Sequence, residues 1–130
     1  MKPSRDEKGR IGEKFYEDEL RRLGYAILFK TVRIKFHRVD FGYVPTKDEI
    51  LEKNSWKEAD FDFIAWKDKK FFYISVKTTE HKGVYKDEER TLESFWNEFK
   101  SPNVCVRLVV IKTDAKGGVL SCQIPREWSF

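Results

Sequence analysis

Residues 61–77 read Phe61-Asp62-Phe63-Ile64-Ala65-Trp66-Lys67-Asp68-Lys69-Lys70-Phe71-Phe72-Tyr73-Ile74-Ser75-Val76-Lys77. Two runs rich in aromatic and β-branched residues flank four charged ones, the pattern of two strands joined by a tight turn. Strands are expected over Phe61 to Trp66 and Phe71 to Thr79. Each carries a charge in otherwise apolar surroundings, Asp62 in the first and Lys77 near the end of the second. A charge buried alone is costly, so each needs a partner or a cleft. The plain alternative is that both lie on the solvated face of an amphipathic hairpin, which alternation permits equally.

Working outward, Ser4 to Leu23 reads as a helix. Ser4 suits the cap, Asp6 and Glu7 suit the positive helix end, and Gly24 ends it. At about 100° per residue, Ile11, Phe15, Tyr16, Leu20 and Leu23 cover one half of that helix, with Glu13 at its border. Glu19 falls near the centre of this half, which its charge does not explain. Tyr25 to Ile34 is rich in strand formers. Lys35 to Lys57 is irregular, with a short helix expected from Thr46, whose spacing to Glu49 fits a capping box. After the hairpin, Glu80 to Arg90 reads as a polar loop. Thr91 is placed to cap a second helix in which Leu92, Phe95, Trp96 and Phe99 share a face. Ser101-Pro102-Asn103 stops it. Val104 to Ile111 and Val119 to Ile124 make a closing hairpin. The order is helix, three strands, helix, two strands, hence an α/β domain with a central mixed sheet flanked by helices.

The chain has 130 residues, 40% of them hydrophobic and 15% aromatic, enough for one domain (1–130) with a packed core and too apolar for disorder. The longest apolar run, Val104 to Ile111, is strand-sized and broken by Arg107, so no membrane span is expected. Met1 to Arg10 is charged and lacks the apolar run of a secretory signal, which gives a cytoplasmic expectation. Cys105 and Cys122 fall in the two closing strands, out of register for a disulfide, and are expected as two buried thiols. A net charge of +4 permits a nucleic-acid partner without requiring one. Lys82, Lys86 and Arg90, with Arg33, Lys35 and Arg38, are available for phosphates, although interspersed acids also suit a solvated loop. Thr78 and Thr79 could contact a phosphate, and Tyr85 and Trp56 could stack on bases; strand propensity and ordinary packing account for them equally well. His37 and His81 stand alone and suggest no ligand pair.

Phosphodiester cleavage by metal ions needs carboxylates gathered beside a phosphate, with a lysine nearby to orient water and add positive charge. Asp62 and Lys77 suit that demand. Asp62-(x12)-Ser75-Val76-Lys77 resembles the D-(x)n-(D/E)-x-K signature of the PD-(D/E)XK nucleases. Gly9-Arg10-Ile11-Gly12-Glu13, followed by Tyr16, Leu20, Gly24 and Tyr25, resembles the G-x-x-G-E opening of small prokaryotic endonuclease-like members of that superfamily. Archaeal Holliday-junction resolvases open similarly, with a catalytic Glu on the first helix. The resemblance covers roughly residues 9–30 and 58–79.

It implies a restriction-endonuclease-like fold with αβββαββ order and a Mg²⁺-dependent DNA endonuclease, with Mn²⁺ as a substitute ion. Glu13 and Asp62 would hold the metal, the Val76 carbonyl would complete its shell, and Lys77 would position the attacking water. Glu17 is the fallback on the first helix. The chain departs from the pattern at Ser75, where the superfamily has Asp or Glu. Some restriction enzymes of the superfamily take that carboxylate from the following helix, which here points to Glu93, with Glu89, Glu80 and Asp60 as alternatives. By analogy the partner is DNA, including branched DNA, and the active form a homodimer. The alternative is a nuclease-fold module that binds nucleic acid and has lost catalysis at Ser75. A more distant reading is a protein–protein adaptor using an exposed aromatic surface.

Overall fold

A computed structural model describes residues 3–37, 56–81, 83 and 85–130. The expected helix at Thr46 and the cations Arg38 and Lys82 lie outside those residues, as does the His37 side chain. Helix α1 spans Arg5–Arg22; the Ser4 hydroxyl accepts from the Glu7 N–H, and Gly24 follows with φ +89°. It buries Gly12, Tyr16 and Leu20, whereas Leu23 is exposed. Glu19 is satisfied from its own helix, accepting two hydrogen bonds from Arg22.

The strands are β1 (Ala26–His37), β2 (Trp56–Lys67), β3 (Lys70–Thr79), β4 (Val104–Thr113) and β5 (Val119–Trp128), and helix α2 spans Lys86–Phe99. They form one five-stranded mixed sheet in sequence order. Every neighbouring pair is antiparallel except β3 and β4, which are parallel and joined through α2. The expected mixed sheet with two helices is therefore present. Lys67 pairs with Lys70 across a two-residue turn in which Asp68 and Lys69 both have positive φ, the backbone of a type I′ hairpin.

Each face of the sheet has its own apolar layer. Tyr16 and Leu20 of α1 pack on Phe63, Ala65, Ile74, Val76, Val109 and Ile111. Leu92, Phe95 and Trp96 of α2 pack on Phe36, Phe61, Val106 and Leu108. Buried Arg107 of β4 is balanced by Glu127 at 2.7 Å and by the hydroxyls of Tyr16 and Tyr25, which it reaches with its remaining N–H groups.

Two expectations are corrected. Helix α2 begins at Lys86 rather than at Thr91: the Glu89 N–H already bonds the Tyr85 carbonyl, and the Thr91 hydroxyl turns back onto the Asp87 carbonyl. Asp87, Glu88 and Glu89 thus form the first helical turn, where the positive helix end favours acids. Of the two free thiols, Cys105 is buried but Cys122 is exposed, because β5 is an edge strand with little packed over it. Among the described residues no helix is long and apolar enough to cross a membrane.

Candidate active site

The β2–β3 ladder runs from Lys67↔Lys70 to Phe63↔Ile74 and then stops. Beyond it β2 continues against β1 as far as Trp56, and β3 continues against β4 as far as Thr79. The two strands part like a fork. In the gap, the Val76 N–H donates to Asp62 Oδ2 at 2.6 Å, so a side chain takes the bond that a partner strand would have taken.

A change of face produces this fork. Phe61 packs against Phe95 of α2, yet Phe63, two residues on, belongs to the α1 layer. Regular alternation would put both on one side. The neighbouring strand switches with it: Lys30 reaches Glu17 of α1, while Ile34 and Phe36 face α2. Between them the β1–β2 register passes from Lys30↔Phe63 to Val32↔Phe61 and skips Thr31 and Asp62. Thr31 has φ +54°, an unusual conformation for a β-branched residue.

Glu13 reaches the same place from α1. Its neighbour Gly12 permits the approach, since a Cβ there would lie 1.9 Å from Thr78 Oγ1 of β3. Glu13 lies near enough for its carboxyl to bear on that of Asp62, through hydrogen bonding and charge. Burial first, then the hydrogen bond and charge of Glu13, push the Asp62 carboxyl up to about 7. The Val76 N–H and the Lys77 charge oppose that rise without cancelling it. At neutral pH the Asp62 carboxyl is therefore poised between its protonated and charged forms.

On the other side of β3, Ser75 is buried and its hydroxyl donates to Glu88 Oε1 at 2.8 Å. Glu88 Oε2 lies 3.7 Å from Lys77 Nζ. The acid beside Ser75 is thus Glu88, not Glu93. Glu93 is exposed and lines a separate hollow with Lys57, Asp87, Arg90 and Ser94. The other expected alternatives are engaged elsewhere: Glu89 with Arg126, Glu80 with Lys8, Asp60 with Arg33 and Glu17 with Lys30. Once α2 is extended to Lys86, Glu88 stands four residues before Leu92 and seven before Phe95. An acid on the buried stripe was the available signal.

An open cleft of about 700 Å³ leads to the pair and is lined by Arg5, Arg10, Glu13, Thr31, Lys77 and Thr78 among others. A second hollow of about 440 Å³ shares Arg5, Lys77 and Tyr85 with it and adds Lys86 and Glu88.

Among the described residues no three of His, Cys, Asp and Glu converge on one point. The donor chemistry nevertheless suits a hard divalent ion, with two neighbouring carboxylates of which Asp62 is pushed up to about 7, chiefly by burial. The Val76 carbonyl adds a neutral oxygen, because a strand residue turns its N–H and C=O to the same neighbour. The chain matches no protein-family model, no curated protein and no solved structure.

Proposed function

We propose that the protein is a metal-dependent DNA endonuclease with a restriction-endonuclease-like fold, hydrolysing phosphodiester bonds at the fork between β2 and β3. The observation that carries the reading is the closeness of Glu13 and Asp62, carboxylates 49 positions apart in sequence, at a place where burial pushes the Asp62 carboxyl up to about 7. A bound Mg²⁺ or Mn²⁺ would supply Lewis acidity and an activated water. Glu13, Asp62 and the Val76 carbonyl would hold it.

The side chains have separable tasks. The Val76 N–H orients Asp62 Oδ2. Lys77 places positive charge beside a bound phosphate and hydrogen-bonds the attacking water. Glu88 holds Lys77 and Ser75 in place and stands where the missing strand carboxylate would be. Double-stranded, flapped and four-way-junction DNA with Mg²⁺ or Mn²⁺ provide the test. Wild type is expected to yield product only with metal, and Asp62→Ala none; cleavage that survives in Asp62→Ala rejects this mechanism. Salt-sensitive binding with no product from wild type would favour the alternative, a nuclease-fold module that binds nucleic acid without cutting it.

A further inference from the structure

Among the described residues, most arginines at the surface are matched to an acid. Arg21 lies by Glu17, Arg22 by Glu19, Arg33 by Asp60, Arg90 by Asp87 and Arg126 by Glu89, while buried Arg107 takes Glu127. Among the described residues Arg5 and Arg10 alone have no carboxylate. Both line the cleft that leads to Glu13. This is not for want of nearby acids in sequence, since Asp6, Glu7 and Glu13 are neighbours. Asp6 also lines the cleft, but it sits in the first turn of α1, where the helix end offsets its charge. Lys86, likewise without an ion pair among the described residues, lines the adjoining hollow with Arg5.

A guanidinium with its donors unspent is matched in shape and charge to a phosphate. Arg5 and Arg10 are about 7.5 Å apart along the helix axis, so a single small anion does not need both. We propose that Arg5 and Arg10, with Lys86 in the adjoining hollow, hold successive phosphates of a nucleic-acid strand and lead it past α1 to the Glu13–Asp62 pair. The identity of the ligand rests on the nuclease reading. The binding surface itself does not require that cleavage occur.

The test is fluorescence anisotropy with a labelled DNA duplex and the matching single strand, in EDTA, between about 50 and 200 mM salt. Both arginines are exposed, so Arg5→Gln/Arg10→Gln is expected to melt as wild type does. It should bind about tenfold more weakly, with the slope of log affinity against log salt reduced by about 1.5 to 2. Lys69→Gln/Lys100→Gln removes equal charge at the turn end of the β2–β3 hairpin, away from the cleft, and should change neither quantity. Wild-type affinity and slope in the arginine variant would overturn the proposal, as would an equal loss in the lysine variant or no binding by wild type. Arginine-dependent binding without metal-dependent cleavage would uphold the surface while rejecting the nuclease. Cleavage that ignores both arginines would do the reverse.

Discussion

The two ends of the β2–β3 hairpin are built from similar residues and behave in opposite ways. At the turn end the ladder is unbroken from Phe63↔Ile74 to Lys67↔Lys70, and Trp66 and Phe71 stack edge-on with ring centres 4.6 Å apart. At the open end the strands separate and each finds another partner. Residues with positive φ mark both ends: Asp68 and Lys69 at the turn, Thr31 at the fork. At the turn that conformation completes regular pairing. At the fork it accompanies a change of face that interrupts pairing and leaves a backbone N–H for Asp62. A strand pair becomes a site where its own hydrogen bonds are redirected to side chains.

The largest expected effect comes from filling the space that lets α1 approach the fork. Gly12→Ala gains about 1 kcal/mol of helix propensity but places a methyl 1.9 Å from Thr78 Oγ1. Overpacking of that kind costs about 1–3 kcal/mol, and α1 must shift and carry Glu13 with it. Urea unfolding should show net destabilisation, with cleavage falling by more than the folded fraction does. Gly12→Ala/Thr78→Ala should recover both; failure to recover would mean that Thr78 is not what limits the approach.

A smaller effect separates the two candidate acids of α2. Glu88→Gln keeps the shape but removes the charge beside Lys77, and should lower kcat about ten- to a hundredfold, the range for residues that orient a metal site. Glu93→Gln should leave the rate unchanged, and the opposite ranking would move the site along the helix. The acid pair also has a signature in stability. A carboxyl whose folded-state value is raised from 3.8 to about 7 contributes stability that is complete below the lower value. That contribution is lost as pH rises through the higher one. In metal-free buffer the thermal midpoint should therefore fall between about pH 5 and pH 8, and Asp62→Asn should remove that part of the fall. An identical pH profile in the variant would place the titration elsewhere. Smallest is the turn. Lys69→Gly relieves a left-handed side-chain residue and should stabilise by about 0.5 kcal/mol, without effect on cleavage.

The hairpin was legible because its signal is local: two β-rich runs and four charged residues between them. Glu13 was singled out by its place in the Gly9–Glu13 opening that resembles the endonuclease-like one, and by its position at the border of an apolar helix face. Glu88 was not, because helix α2 is capped by Tyr85, whose side chain makes no capping hydrogen bond, while Thr91 further on imitates a cap. Placing the cap six residues late moved the expected acid from Glu88 to Glu93. The fork was illegible for a different reason. Nothing within Phe61-Asp62-Phe63 announces that alternation fails there; the switch is shared with Thr31, which the pairing of its neighbours Lys30 and Val32 brings beside Asp62. Pairing of residues distant in sequence is what a reading of periodicity leaves out.

The sheet divides the molecule into two oil-like layers whose buried members do not overlap, α1 serving one and α2 the other. Such an arrangement favours subglobal opening, in which one layer peels away while the other stays packed. Glu13 travels with α1, whereas Asp62, Ser75, Lys77 and Glu88 remain with the sheet and α2. The free energy at which the amides of α1 exchange their hydrogens with solvent therefore measures the fraction of molecules in which α1, and Glu13 with it, is docked on the sheet.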